Sequence, residues 1–357
     1  MSAVTNLFAF SLTVLFILLL RPLATWLGIV DHPGGRKRHE HSTPLVGGLG
    51  LFLGLVVTLV CFQIAIPSPT AYFGATILLA VTGLLDDRFD LPARFRLLVQ
   101  VAAALIMILG GDLVVGDFGD GFGIRFDLGP LAIPFTIFAT VGLINAFNML
   151  DGIDGLAGMV SISVLAVLGL WAQFAGATEV ANLAYLLLFA VGGFLLFNLR
   201  LPWRRRAAVF MGDAGSMVLG LSFAWMIVAL IQPRHGGVAP MAAFWLVAFP
   251  ILETANVIIR RKCKRRSVFT PDHEHLHYIF REHGLSINRT VLSISSIALA
   301  MAGFGVVGGA LKSPDWLMAL ALLLTGILYY RIVDNLTLNR DDATDCPEKK
   351  AVERQKV

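Results

Sequence analysis

Three short stretches place acidic side chains at the ends of apolar runs, where a carboxylate needs a reason to be. In GLLDDRFD, Asp86 and Asp87 are adjacent. Adjacent carboxylates repel, so a pair at such a boundary calls for a cation, a metal or a proton to hold. Asp90, three residues on, fits a solvated cap of the next helix. In INAFNMLDGIDGLAG, Asn148, Asp151 and Asp154 recur at three-residue spacing with no basic residue among them. On a helical turn they would share a face and offer oxygen ligands that suit a hard divalent cation, Mg2+ first and Mn2+ as a substitute. In VFMGDAGS, Asp213 stands between Gly212 and Ala214. Small neighbours let a carboxylate and backbone amides approach a bulky ligand such as a phosphate.

The basic and imidazole residues form a second set. The stretch 31–48, DHPGGRKRHEHSTPLVGG, carries Arg36, Lys37 and Arg38. These serve either as an anchor on the positive side of a membrane or as phosphate or nucleotide contacts. Its glycines Gly47 and Gly48, with Gly50 and Gly54, predict close helix packing. Arg204, Arg205 and Arg206 read as a topology signal. Residues 260–289 begin with a Lys/Arg-rich run and continue into PDHEHLHYIF, where His273, His275 and His277 alternate. That alternation suits a zinc site, a phosphate-binding turn or a polar loop. Zinc would need a further ligand set that the chain does not offer, whereas imidazoles and nearby cations would engage a diphosphate.

The elements that must position these residues are membrane helices. Of the 357 residues 57% are hydrophobic and 15% charged, against roughly half apolar and a quarter charged in a soluble domain. Apolar runs of about 20 residues, enough for roughly 30 Å of hydrocarbon, recur throughout. We read eleven spans, at 8–27, 45–66, 71–85, 97–115, 135–147, 157–174, 181–198, 216–231, 241–259, 291–311 and 316–332. The third and fifth are short and end at Asp86 and Asn148, which predicts that both finish inside a protein-lined cavity. All but three of the 28 Lys and Arg (Arg125, Arg234 and Lys312) fall on one side if the N-terminus faces out. The positive-inside rule then puts the N-terminus in the periplasm and the C-terminus in the cytoplasm of a bacterial inner membrane.

The fold class is thus all-α and polytopic. We expect a single transmembrane catalytic domain over 1–335, with active-site loops at 31–48, 85–96, 145–158, 198–216 and 260–289 on the cytoplasmic face, then a cytoplasmic tail over 336–357. Residues 116–134, rich in Gly and Asp, predict a periplasmic loop or small hairpin. The first span lacks a preceding Lys or Arg and a cleavage site, so it should stay as a helix. The net charge of +4 follows from topology and requires no nucleic acid as partner; membrane lipids and anionic substrates are the expected ones. Cys61, Cys263 and Cys346 lie too far apart to suggest a disulfide framework.

Taken in order, DHPGGRKRH, the LVGG pair, GLLDDRFD, INAFNMLDGIDGLAG, VFMGDAGS and SVFTPDHEHLH resemble the polyprenyl-phosphate N-acetylhexosamine-1-phosphate transferases of glycosyltransferase family 4. The likeness spans about residues 30–280. It departs from the family pattern at Tyr278, where a histidine is usual, and at Gly34 and Gly35, where an asparagine and an aromatic are common. The resemblance implies an eleven-helix fold with a cytoplasmic active site, and transfer of N-acetylglucosamine-1-phosphate from UDP-GlcNAc to undecaprenyl phosphate. It implies Asp86, Asp87, Asp151 and Asp154 as catalytic residues, and Asp213, Asn148 and Asp151 around the metal. It also implies Asp154, Asn198 and Phe210 at the nucleotide, and Arg38, His273, His275 and His277 at the phosphates and sugar. Another UDP-N-acetylhexosamine is the alternative donor, and a secondary transporter is the alternative from another class, since intramembrane acids serve transport too. The acids here cluster at one face instead of the midplane, which favours the enzyme. The oligomeric state, a homodimer included, is left open by the sequence.

Overall fold

A computed structural model describes residues 2–31, 42–121, 124–264 and 275–344. Its helices are α1 (Ala3–Leu27), α2 (Gly47–Cys61), α3 (Pro69–Phe89), α4 (Ala93–Gly111), α5 (Ala132–Leu150), α6 (Leu156–Phe174), α7 (Thr178–Asn198), α8 (Gly212–Ile231), α9 (Pro240–Phe244), α10 (Ala248–Cys263), α11 (Leu276–Glu282), α12 (Ile287–Ala310) and α13 (Asp315–Thr344). A single 3-10 turn joins α9 to α10, so the two make one apolar segment, Pro240–Cys263. Among the described residues, 10 helical segments are long and apolar enough to cross a membrane. The chain is a polytopic all-α membrane protein.

Each of the eleven spans expected from the sequence contains a helix. The second, expected over 45–66, is the short one: α2 has 15 residues, about 22 Å at 1.5 Å per residue. Its stop is local. Gln63 enters the left-handed region at φ 48°, and the Ile64 and Gln63 amides close on the Leu59 and Val60 carbonyls, a Schellman arrangement that ends the helix. Pro67 then disfavours resumption before α3. In the other direction, α3 and α5 exceed their expected lengths. α3 continues through Asp86 and Asp87 to Phe89, and the connection to α4 shrinks to three residues, with Asp90 in the left-handed region as its cap. At the far end α13 runs to Thr344, so the expected tail starts as helix.

α8 forms the centre, packed against α2, α3 and α5. It is apolar on every side, so no face of it prefers water, and nearly all of it is buried. Close approach needs small residues. A Cβ at Gly48 would strike the backbone of Gly215 on α8 and of Met211 just before it, and side chains at Gly47, Gly50 and Gly54 would strike Phe194, Ile17 and Thr13, as the glycine spacing predicted. Several polar side chains inside the bundle bond to one another or to backbone, which lowers the cost of their burial: Tyr72 with Ser222 at 2.7 Å, Trp225 Nε1 to the Pro67 carbonyl at 2.9 Å, and Asn145 Nδ2 to Gln100 Oε1 at 2.6 Å.

Two short antiparallel pairs complete the fold. β1 (Val30–Asp31) pairs with β2 (Thr43–Pro44), and β3 (Asp117–Gly121) pairs with β4 (Ile124–Asp127). The second pair is the hairpin expected between 116 and 134. It lies at the C-terminal end of α4, opposite the ends of α3 and α5 that carry the acids, and Asp315 on α13 accepts the Asp120 and Met241 amides beside it.

Because Gly48 meets backbone atoms that have nowhere to go, Gly48→Val should part α2 from α8. We expect a loss of at least about 1–3 kcal/mol, the usual cost of overpacking, read as a lower midpoint in thermal melts of the detergent-solubilised protein.

Candidate active site

The C-terminal ends of α3, α5 and α7 and the N-terminal end of α8 surround one cavity of about 1740 Å³. Asp86, Asp87, Asn148, Asp151, Asp154 and Asp213 line it together, with Arg21, Arg200, Arg206, Asn198 and Phe210. That volume exceeds the roughly 300–1,000 Å³ of a pocket for one drug-sized ligand, so it has room for two reactants.

The two adjacent acids have different surroundings. Asp86 is 5% exposed; its Oδ1 accepts the Leu91 amide at 2.7 Å and its Oδ2 accepts Arg96 Nη1 at 2.7 Å. Asp87 faces α8. Its Oδ1 accepts the Asp213 amide at 2.9 Å, while its Oδ2 is buried without a hydrogen bond. α8 has no side-chain cap of its own, so Asp87 caps it from α3, satisfying an orphan amide and placing negative charge at a helix N-terminus. Gly212 makes this possible: its φ is 73°, and a Cβ there would meet the Asp87 carboxylate.

Asp213 follows in the first turn of α8. Its Oδ1 accepts Asn148 Nδ2 at 2.6 Å, and the same amide reaches Ser216 Oγ at 3.0 Å. Arg96 Nη1 lies 3.5 Å from Asp213 Oδ2, so one guanidinium stands between Asp86 and Asp213. Sequence reasoning passed over Arg96, absorbing it into the topological charge count. Its signal was position: it opens the helix that follows the acid pair and carries Gln100 one turn later.

The turn after α5 supplies the remaining acids. Asp151 caps α5 at the cavity wall. Burial, then the neighbouring Asp154, push its carboxyl up to about 7. Asp154 pairs with Arg200 at 2.7 Å and accepts the Ala207 amide at 3.2 Å, so its charge is balanced within the protein. Asn198, assigned to the nucleotide by resemblance, is 3% exposed and spends its amide on the backbone: Oδ1 accepts the Gly155 amide at 2.7 Å, and Nδ2 donates to the Val209 carbonyl at 2.9 Å. It ties the 151–155 turn to the 199–211 connection. Phe210 lines the cavity, and its backbone bonds to Pro44 and Gly47.

The histidines separate from this group. Arg38 and His273 lie outside the described residues. His275 and His277 are buried, 7% and 2% exposed, and neither lines the cavity, whereas Tyr278 does. His275 Nδ1 is 3.2 Å from Glu253 Oε1 on α10. A carboxylate partner was no part of the zinc or anion readings of this stretch.

A profile of glycosyl transferase family 4 matches residues 69–231, which hold Asp86, Asp87, Asp151, Asp154, Asp213 and Asn148. Over 322 residues the chain is 34% identical to the undecaprenyl-phosphate alpha-N-acetylglucosaminyl 1-phosphate transferase of Escherichia coli O157:H7, covering 90% of this chain and 88% of that one. The protein of the same name from Salmonella typhi is 35% identical over 331 residues, covering 92% and 89%. That from Haemophilus influenzae is 34% identical over 316 residues, covering 88% and 89%.

The chain belongs to glycosyl transferase family 4. The resemblance carried by the motifs holds at nearly full length, and the transferase is a phosphoglycosyl transferase. Its donor set fits an open site for a hard cation: carboxylates from α3, α8 and the turn after α5, an amide side chain, and a buried carboxylate oxygen on Asp87 with no hydrogen bond. Among the described residues no three acidic, His or Cys side chains come together closely enough to hold a metal ion by themselves, so an ion here would need the amide side chain, water and substrate for the rest of its shell. Mg2+ commonly binds in that manner, through one or two carboxylates with water and substrate phosphates supplying the rest.

The raised pKa of Asp151 carries a sign. Its carboxyl holds a proton below about 7 in the folded chain but only below about 3.9 when unfolded, so its ionisation costs stability fully above pH 7 and not at all near pH 4. Asp151→Asn should therefore raise the melting midpoint of chelator-treated protein at pH 8, with the gain fading as the pH is lowered toward 4. Equal gains at pH 8 and pH 4.5 would remove the assignment.

Proposed function

We propose that this transferase moves N-acetylglucosamine-1-phosphate from UDP-GlcNAc to undecaprenyl phosphate, giving undecaprenyl-diphosphate-GlcNAc and UMP, and so initiates a lipid-linked surface polysaccharide such as an O-antigen or common antigen. The observation that carries the reading is the meeting of Asp86, Asp87, Asp151, Asp154, Asp213 and Asn148 on one cavity at the helix ends. Relatives of nearly equal length bearing that name support the choice of substrates. The Lys and Arg asymmetry supports an inner-membrane protein with its N-terminus in the periplasm and the cavity facing the cytoplasm.

In this reaction an oxygen of the lipid phosphate attacks the sugar-linked phosphorus of the nucleotide sugar. The bond from that phosphorus to the bridging oxygen breaks, and UMP departs with the electron pair. Both reactants are anions, so the work of the site is positioning and charge compensation. We assign Asp213, Asn148 and Asp151 to a Mg2+ ion, with Mn2+ as substitute, which when bound would neutralise the diphosphate and polarise its phosphorus–oxygen bonds. Arg206 lines the cavity and brings positive charge to it, while Arg200 beside it is paired with Asp154. Asp86, held by Arg96 and the Leu91 amide, is placed to orient the acceptor phosphate. A strong base is not required, because a phosphate monoester has its second pKa near 6 and is mostly dianionic at pH 7. Asp87 holds the start of α8 at the cavity wall.

Purified protein incubated with undecaprenyl phosphate, Mg2+ and a panel of UDP-sugars should yield a lipid whose mass equals the acceptor plus N-acetylhexosamine phosphate, with stoichiometric UMP. Product from another UDP-N-acetylhexosamine alone would move the donor assignment, and solute uptake into vesicles without lipid product would replace the enzyme by a transporter. Asp213→Asn should cut turnover on the order of 100-fold or more while the protein stays inserted and folded; near-normal turnover by that variant would remove Asp213 from the metal.

A further inference from the structure

Glu253 is a carboxylate inside an apolar segment, 4% exposed, and lies outside the cavity lining. Such a group is costly unless fully bonded. Here it is bonded on both oxygens. Oε1 accepts the Leu276 amide at 2.9 Å and faces His275 Nδ1 at 3.2 Å, while Oε2 accepts the Tyr329 hydroxyl. One carboxylate thus joins α10, the start of α11 and α13.

The chain of contacts continues toward the cavity. The His275 and His277 rings stack, with centroids 5.4 Å apart and planes 17° apart. His277 Nε2 packs onto Gly152 so closely that a Cβ at that glycine would collide with it. Gly152 lies between Asp151 and Asp154, on the cavity wall. Asn198 and Arg200 hold the far side of this turn, through Gly155 and Asp154; the His277 ring bears on its near side.

We propose that Glu253 is a positioning residue for phosphoglycosyl transfer: with Tyr329 it holds the His275–His277 pair against Gly152, and so fixes the turn that presents Asp151 and Asp154 to the nucleotide sugar. This rests on the transferase reading above. The His-rich stretch then acts on the reaction through the acidic turn as well as through any contact of its own with substrate.

The test compares Glu253→Gln, Tyr329→Phe and Gly152→Ala with wild type, using UDP-GlcNAc, undecaprenyl phosphate and hydrogen exchange of the folded protein. Glu253→Gln should raise KM for the UDP-sugar about 10-fold or more, in the range for loss of a partner behind a site ligand, with KM for the lipid phosphate unchanged. Tyr329→Phe, which removes one hydroxyl, should shift it in the same direction by less. Gly152→Ala should reproduce the pattern from the other side, and the Glu253→Gln/Gly152→Ala pair should be less than additive. Amide exchange in peptides covering 145–158 should quicken in Glu253→Gln and Tyr329→Phe and stay unchanged in the β3–β4 hairpin. Unchanged exchange at 145–158 in both variants overturns the inference whatever the kinetics. A lowered kcat with both KM values intact, the mark of fewer folded molecules, also overturns it. A wild-type protein that makes no lipid product, with exchange responding as described, would overturn the substrate reading and leave the positioning of the turn standing.

Discussion

The structure is organised around keeping carboxylates together that repel one another. Two acids within a few ångströms in a poorly solvated cavity push each other toward neutrality, and leaving any of them without a partner costs several kcal/mol. The chain answers with donors from other elements. Leu91 and Arg96 hold Asp86, the α8 backbone holds Asp87, Asn148 holds Asp213, and Arg200 holds Asp154. Each bond that makes an acid tolerable also joins two segments, so the site and the packing of the helix ends share one set of interactions.

Such cross-bracing works only if the helices approach closely. The glycines on α2 and α8 let backbone meet backbone at Gly48 and Gly215, and Gly83 does the same for α3 against Ala214. α8 then runs through the middle of the bundle with its N-terminal amides delivered to the cavity. The opposite end carries the hairpin pinned by Asp315, away from the chemistry.

The periodic and compositional parts of this architecture are plain in the sequence. Eleven apolar runs mark the helices, and Asp86, Asp87, Asp151, Asp154 and Asp213 each stand in a motif whose residues point to oxygen ligation. What a linear reading passes over are residues whose meaning is three-dimensional. Arg96 and Arg200 sit among many other cations of the connecting segments, and nothing in their neighbours reveals that each meets an acid 10 or 46 positions away. Glu253 lies in an apolar run, 22 residues from its histidine and 76 from its tyrosine. Helix limits were missed for a related reason: Asp86 and Asp87 look like the start of a loop to a hydropathy scale, yet the next turn of α3 is stabilised by contacts from α4 and α8 that no window contains. Asn198 shows the converse, a motif position whose amide is consumed by backbone on two sides.

The cap that Asp87 provides to α8 has a consequence for how the acid pair behaves under substitution. Its neighbour is anchored by a guanidinium and a loop amide, both able to readjust, whereas Asp87 is clasped to the end of the central helix with a glycine cut to its shape. Lengthening it to glutamate would drive the carboxylate into that helix end, and shortening it to alanine would leave the helix start bare. An inactive Asp87 variant would therefore reflect a displaced scaffold as readily as a missing reactant.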